Sequence, residues 1–129
     1  MTIVVTAAII TRGNELLIAQ RKKDDALSLK WEFPGGKVEE GEDPRDCLRR
    51  EIKEELAMEV AVGDSYDVVF HRYPDKAVLL LFYLCTYQGG RPVAKGCNDF
   101  RWVTIEQLSQ YQFAPADVPV VEKLQRQRL

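Results

Sequence analysis

The chain has 129 residues, 46% hydrophobic and 29% charged, a length and balance expected of one globular domain spanning 1–129. A net charge of −2 excludes the broad basic field that holds a nucleic-acid backbone, so an anionic partner has to be met locally, by a metal ion or a few aimed cations. Three widely spaced cysteines and a single histidine argue against a Cys/His zinc centre, and no apolar run approaches the length of a membrane span. With no basic leader ahead of a cleavage site, the expectation is a cytoplasmic protein with reduced thiols, Cys47 and Cys85 among them in the core.

In chain order, Ile3–Thr11 is rich in Val, Ile and Thr and predicts a buried strand. Gly13-Asn14 signals a turn into a second strand, Glu15–Gln20, closing a hairpin. The polar stretch Lys22–Lys30 reads as a loop, and Trp31–Phe33 as a short strand stopped by Pro34-Gly35-Gly36. A helix follows: Asp43 is the N-cap, Pro44 suits the first turn, Asp46 completes a box-like start, and Leu48, Ile52 and Leu56 form the buried stripe. It fades near Ala57-Met58.

Strands are expected at Glu59–Val62, Val68–Tyr73 and Ala77–Tyr87, with turns at Pro74-Asp75 and Gly89-Gly90. Phe100–Val103 makes a further strand, and Thr104 caps a short helix through Leu108. A final amphipathic helix, Ala116–Arg126, turns Val120, Val121 and Leu124 inward. Strands interleaved with helices predict an α/β (α+β) domain with a mixed sheet between helices.

The chemistry concentrates on the first helix. Glu51, Glu54 and Glu55 stand at i, i+3 and i+4, so they share one side within an arc of roughly 100°. Three carboxylates that close repel one another, and the repulsion grows as they leave water. A hard divalent cation relieves it, and magnesium commonly bridges carboxylates to substrate phosphates. Upstream, Gly35-Gly36-Lys37 forms a tight loop whose glycines let backbone approach a ligand closely. Taken singly, each feature has a plainer reading: a Glu-rich helix is most often a solvated face with pairs such as Arg50–Glu54, and a Gly-Gly is most often a turn.

Taken together, Gly36, Glu42, Arg50, Glu51, Ile52, Glu54, Glu55 and Met58 stand at the spacing of the Nudix box, and the chain resembles the Nudix hydrolase family. Ala57 departs from it, standing where the family has a helix-ending glycine. The resemblance implies an α/β/α sandwich. It also implies that Glu51, Glu54 and Glu55, with the Gly35 carbonyl, bind Mg2+ (Mn2+ being the alternative), that Arg50 orients the glutamates, and that Glu42 and Gly36 shape the loop. A glutamate of the cluster is the expected general base. Many members carry one more glutamate six residues before the tryptophan that here is Trp102; this chain has Gly96 there, and Asp99 is the nearest acid. Asp99 is therefore either a metal ligand or base, or a solvated loop residue.

Within the family the likeness is to the MutT-like nucleoside triphosphate pyrophosphohydrolases, through Leu17–Arg21, Trp31–Lys37 and Phe113–Pro119. It implies a small-molecule nucleotide as partner; the net charge argues against a nucleic-acid polymer and the short apolar runs against a membrane, and a monomer or homodimer is expected. Two substrates stand open: 8-oxo-dGTP, preferred because the strand and loop likeness is to the mutation-avoidance enzymes, and a cytidine nucleotide. Oxidised-guanine enzymes carry Asn where this chain has Asp117, whereas cytidine-type relatives carry Ala-Asp as here. Arg21, Phe33, Lys37, Tyr73 and Asp117 are the expected substrate contacts, with Lys76 weaker. Phe33 equally suits the core, and Arg21 equally suits a salt bridge to Asp24 or Asp25. A non-catalytic Nudix-fold binding module is the competing class; it requires damage to the glutamate cluster, which is intact.

Overall fold

The computed structural model describes residues 1–127. The elements run β1 (Thr2–Arg12), β2 (Glu15–Gln20), β3 (Trp31–Glu32), β4 (Gly35–Lys37), α1 (Pro44–Leu56), β5 (Glu59–Arg72), β6 (Ala77–Gly89), β7 (Asp99–Thr104), two 3-10 turns (Ile105–Gln110 and Pro115–Asp117) and α2 (Val118–Gln127). The main path of the sheet is β3-β2-β1-β6-β5, with β4 on β1 and β7 on β2. β1 and β6 run parallel from Thr2/Ala77 to Thr11/Thr86, and the other strand pairs are antiparallel. The sheet is mixed, and helices cover both faces in an α/β/α sandwich.

β1 reads as a continuous apolar run because both its faces are buried. Ile9 packs toward α2 with Ile18, Phe82, Leu108, Val120 and Leu124, and Ile10 toward α1 with Leu17, Leu48, Ile52, Leu56 and Met58. Both isoleucines are fully buried. These two cores clamp the sheet and hold α1 against its face.

Five local expectations change. Gly35–Lys37 is a short strand on β1, because glycine lets it fit: a Cβ on Gly35 would sit 1.9 Å from the Thr6 carbonyl oxygen. Glu59–Val62 and Val68–Tyr73 belong to one strand, since β-bulges between Val62 and Asp67 absorb Gly63 and Asp64 without ending it. The final helix starts at Val118, after a 3-10 turn at Pro115–Asp117, and the segment capped by Thr104 is 3-10 throughout. The start of α1 lacks a capping box. The Asp43 side chain accepts from the Arg45 and Asp46 amides at 2.9 and 3.3 Å, while Asp46 turns outward to Arg49.

α1 ends where expected, on Ala57 in the left-handed region (φ 55°), its N–H donating to the Lys53 carbonyl at 3.0 Å. An alanine there costs about 1 kcal/mol against glycine. The segment before β7 supports this helix end: Val93 N–H donates to the Leu56 carbonyl, and Lys95 and Gly96 N–H to that of Glu55.

Candidate active site

A cleft of about 660 Å³ opens at the edge of the α2-side core and runs to the C-terminal end of α1. Of the sequence-predicted residues, Arg21, Phe33, Gly35, Gly36, Lys37, Glu55, Tyr73 and Asp117 line it. Glu42, Arg50, Glu51 and Glu54 stand outside its wall, on and before the neighbouring turns of α1, and Asp99 lies at the start of β7.

Arg50 organises the acidic face. Its Nε and Nη2 donate to the two Glu42 carboxylate oxygens at 2.8 and 3.0 Å, and Nη1 donates to Glu51 at 2.9 Å and Glu54 at 3.2 Å. The Arg50 hydrogen bonds, joined by the Glu39 amide, hold the Glu42 carboxyl down to about 2. Glu51 is mostly buried, and burial raises its pKa despite Arg50. Its carboxylate fills the space over Gly36, where an added Cβ would lie 2.2 Å from the carboxylate carbon, so a side chain at 36 would displace it. Glu54 is exposed.

Glu55 differs from both. Its Oε2 is buried and has no hydrogen-bond partner in the protein. Burial, then repulsion from Glu32 and Glu51, pushes its carboxyl up to about 8, against the pull of Arg21. Such an acid is neutral at pH 7 unless a cation joins it.

The expected convergence of all three carboxylates is absent as the side chains stand: among the described residues, no group of three or more acidic, thiol or imidazole side chains is arranged to hold an ion. The reason is Arg50, which draws Glu51 and Glu54 to itself while Glu55 turns into the cleft. The donors nevertheless suit a hard divalent ion. They are carboxylate oxygens on one helix side, and one is buried and unsatisfied.

At Asp117, 3% exposed, Oδ1 is likewise buried without a partner. Burial and then the Glu32 charge hold its pKa well above the usual carboxylate range, against a hydrogen bond from the Phe33 backbone. Glu32, absent from the expected set, lies in the same wall and accepts from Arg21 Nη1 at 2.8 Å. Burial raises its pKa, with the Arg21 charge opposing. The available signal was an acid between two apolar aromatics, Trp31 and Phe33, with an arginine across the hairpin.

Arg21 also donates to Asp25 from Nε at 3.0 Å and Nη2 at 2.7 Å, so the salt-bridge reading holds, with Asp25 rather than Asp24. Phe33 is 2% exposed and packs on Phe82 and Phe113, so its ring belongs to the core even where it forms cleft wall. Tyr73 stacks edge-on against His71, and burial raises its hydroxyl pKa. Asp99 pairs with Arg101 at 3.1 Å. At Gly96 a Cβ would come within 3.2 Å of the Glu55 Cα and Cγ, so a longer side chain there has to displace Glu55 or the loop. All three cysteines are free and buried, Cys97 as well as the expected pair.

An acidic helix side edged by a glycine strand stands beside a cleft in an α/β/α sandwich. The NUDIX domain matches residues 1–124, and the chain belongs to this family. It is a MutT-like Nudix hydrolase, and enzymes of this family generally need a divalent metal. It is 32% identical over 123 residues to the 8-oxo-dGTP diphosphatase of Escherichia coli, covering 95% of each chain. It is 36% identical over 118 residues to the CTP pyrophosphohydrolase of the same organism, covering 92% of this chain and 87% of that one. The solution structure of the E. coli ORF135 protein superposes with a TM-score of 0.86 at 34% identity, over 98% of this chain and 91% of that one. Among the described residues, no helix is long and apolar enough to cross a membrane.

Proposed function

We propose that the chain hydrolyses a nucleoside triphosphate to the monophosphate and pyrophosphate with Mg2+, and that 8-oxo-dGTP is the principal substrate. The observation that carries this is the pair of unsatisfied acid oxygens, Glu55 Oε2 and Asp117 Oδ1, on residues lining one cleft. A buried polar atom without a partner costs about 1–3 kcal/mol, so each marks a place where a ligand restores what folding took away. The first suits a cation and the second a base edge. The 8-oxo-dGTP diphosphatase relative carries the choice of base.

In this reading Glu51, Glu54 and Glu55, with the Gly35 carbonyl, hold the metal. Arg50 fixes where Glu51 and Glu54 point, and Glu42 anchors Arg50 and the Glu39 turn. A bound divalent ion supplies charge neutralisation on the phosphates and a lowered pKa for a water in its shell. Lys37 lies in the same wall and meets phosphate oxygen as a point charge. Arg21 reaches base or phosphate oxygen by exchanging one of its carboxylate partners. A glutamate of the cluster accepts the proton of the attacking water; Asp99 is the weaker source of that base, because it is engaged by Arg101 outside the cleft wall. Three unpaired thiols suit a reducing compartment, and we assign the cytoplasm.

A cytidine nucleotide is the second reading, and Asp117 favours it. A neutral carboxyl both donates and accepts, which matches the N4 amine and N3 of cytosine. A panel of normal and oxidised nucleotides with magnesium, scored for monophosphate and pyrophosphate, tests both. Preference for diphosphates or sugar nucleotides would overturn them.

A further inference from the structure

β5 ends the main path of the sheet, so among the described residues one of its edges has no strand beside it. Its C-terminal half also carries two large apolar side chains that the fold leaves outside: Val68 is 57% and Phe70 54% exposed. The register sets Phe70 beside Leu79 and Leu79 beside Val4; it sets Val68 beside Leu81 and Leu81 beside Thr6. Cross-strand neighbours share a face. Val4, Val68, Phe70, Leu79 and Leu81 therefore form an apolar strip on the α1 face. α1 covers the strip only at its inner end, where Cys47 Sγ lies 3.5 Å from Thr6 Oγ1.

The backbone of this edge is open from Phe70 onward, while at its other end Lys123 Nζ donates to the Tyr66 carbonyl at 2.6 Å. Tyr73 N–H donates to the Lys76 carbonyl at 2.7 Å across the turn. The antiparallel alternation from there gives Val69 and His71 their ladder bonds to β6 and turns Val68, Phe70 and Arg72 N–H and C=O outward. Val68 N–H is accordingly held by the neighbouring Asp67 carboxylate at 2.8 Å. The run Tyr66–Arg72 has neither the lysine nor the proline that commonly guards an edge strand.

We propose that this edge pairs antiparallel with β5 of a second copy of the chain, about a two-fold axis through Val69. That register sets Val68 opposite the partner's Phe70, twice, so the exposed apolar pair covers itself. On the other face it sets Asp67 opposite the partner's His71, again twice, an acid against a base. The strand is self-complementary in shape and in hydrogen-bonding capacity, a carboxylate facing an imidazole, as a two-fold interface requires. The bulges up to Asp67 bend the strand and confine the pairing to its C-terminal half. The interface is small and the dimer weak and concentration-dependent. Neither Val68 nor Phe70 lines the cleft.

Sedimentation velocity on the full chain, from micromolar to near-millimolar, tests this. The expected result is a reversible rise from monomer to twice the monomer mass. Val68→Lys weakens association at least about tenfold. Asp67→Arg also weakens it, and adding His71→Asp to the same chain restores it. Nucleotide turnover and the melting temperature, read on each variant, separate lost pairing from lost folding; the compensating pair fixes the register if Val68→Lys folds poorly. A species at monomer mass throughout, or a dimer indifferent to both Val68→Lys and Asp67→Arg, overturns the proposal; the edge then faces solvent or a different partner.

Discussion

Arg50 grips Glu42 through two parallel hydrogen bonds, Nε to Oε2 at 2.8 Å and Nη2 to Oε1 at 3.0 Å, while its remaining nitrogen reaches Glu51 and Glu54. A planar guanidinium can bridge three carboxylates in this way, and a lysine ammonium cannot. Arg50→Lys keeps the charge and loses the fork. Turnover is expected to fall about 10–100-fold, with a higher metal concentration at half-maximal rate. A metal titration of the rate checks it, and an unchanged half-maximal concentration would separate Arg50 from the metal site.

The charge state of Glu55 sets a second expectation. Its carboxyl, raised to about 8, is neutral at pH 7 in protein stripped of divalent ions, so metal binding releases a proton. Calorimetric titration with magnesium in buffers of different ionisation enthalpy measures the release, expected near one per ion at neutral pH and fading as pH passes the raised value. Buffer-independent heats would show that Glu55 is already ionised.

The same shift bears on stability. A carboxyl raised on folding favours the folded state at low pH, and that contribution is lost as pH climbs from the unfolded value of 4.5 through about 8. Glu42 acts oppositely: its depressed pKa stabilises above 4.5, and the effect disappears as pH falls toward 2. In the presence of chelator, Glu55→Gln is therefore expected to stabilise at about pH 9, by on the order of 5 kcal/mol as an upper bound, and to matter little near pH 5. Denaturant melts at the two pH values check the sign.

In the proposed function, Asp117 governs base binding through its proton. Burial favours the neutral acid, which donates and accepts, as an asparagine does at every pH. Wild type is expected to show KM rising as pH climbs through the raised pKa of this carboxyl, and Asp117→Asn to flatten that rise while keeping turnover. Asp117→Ala raises KM about 10–100-fold by leaving the base edge unpaired. KM profiles for 8-oxo-dGTP and CTP on the three proteins read this out, and parallel profiles would remove Asp117 from recognition.

The sandwich and the helix were legible because their signals are periodic: Leu48, Ile52 and Leu56 at four-residue steps are all fully buried, and Ile9 and Ile10 fill opposite faces of β1. What escaped was set by tertiary neighbours. Gly35–Lys37 reads as a loop until β1 lies alongside to make it a strand. The break at Gly63 reads as a strand end until β6 shows it to be bulges. At the site, the spacing of the three glutamates placed them on one side of α1 but said nothing of where the carboxylates turn. Arg50 decides that for Glu51 and Glu54, and the depth of the cleft decides it for Glu55. Glu32 left only a local trace, an acid between Trp31 and Phe33; its weight comes from burial beside Arg21, which that pattern does not encode.

The most direct test is Glu54→Gln, assayed for pyrophosphate release from 8-oxo-dGTP with and without magnesium. Glu54 is exposed and its neighbours are charged rather than packed, so the change leaves the fold intact, as an unaltered melting curve would show. The expected result is magnesium-dependent turnover in wild type and a fall of at least about a hundredfold in the variant at saturating metal. Full turnover by the variant, or wild-type cleavage indifferent to magnesium, would contradict a site built on the α1 carboxylates.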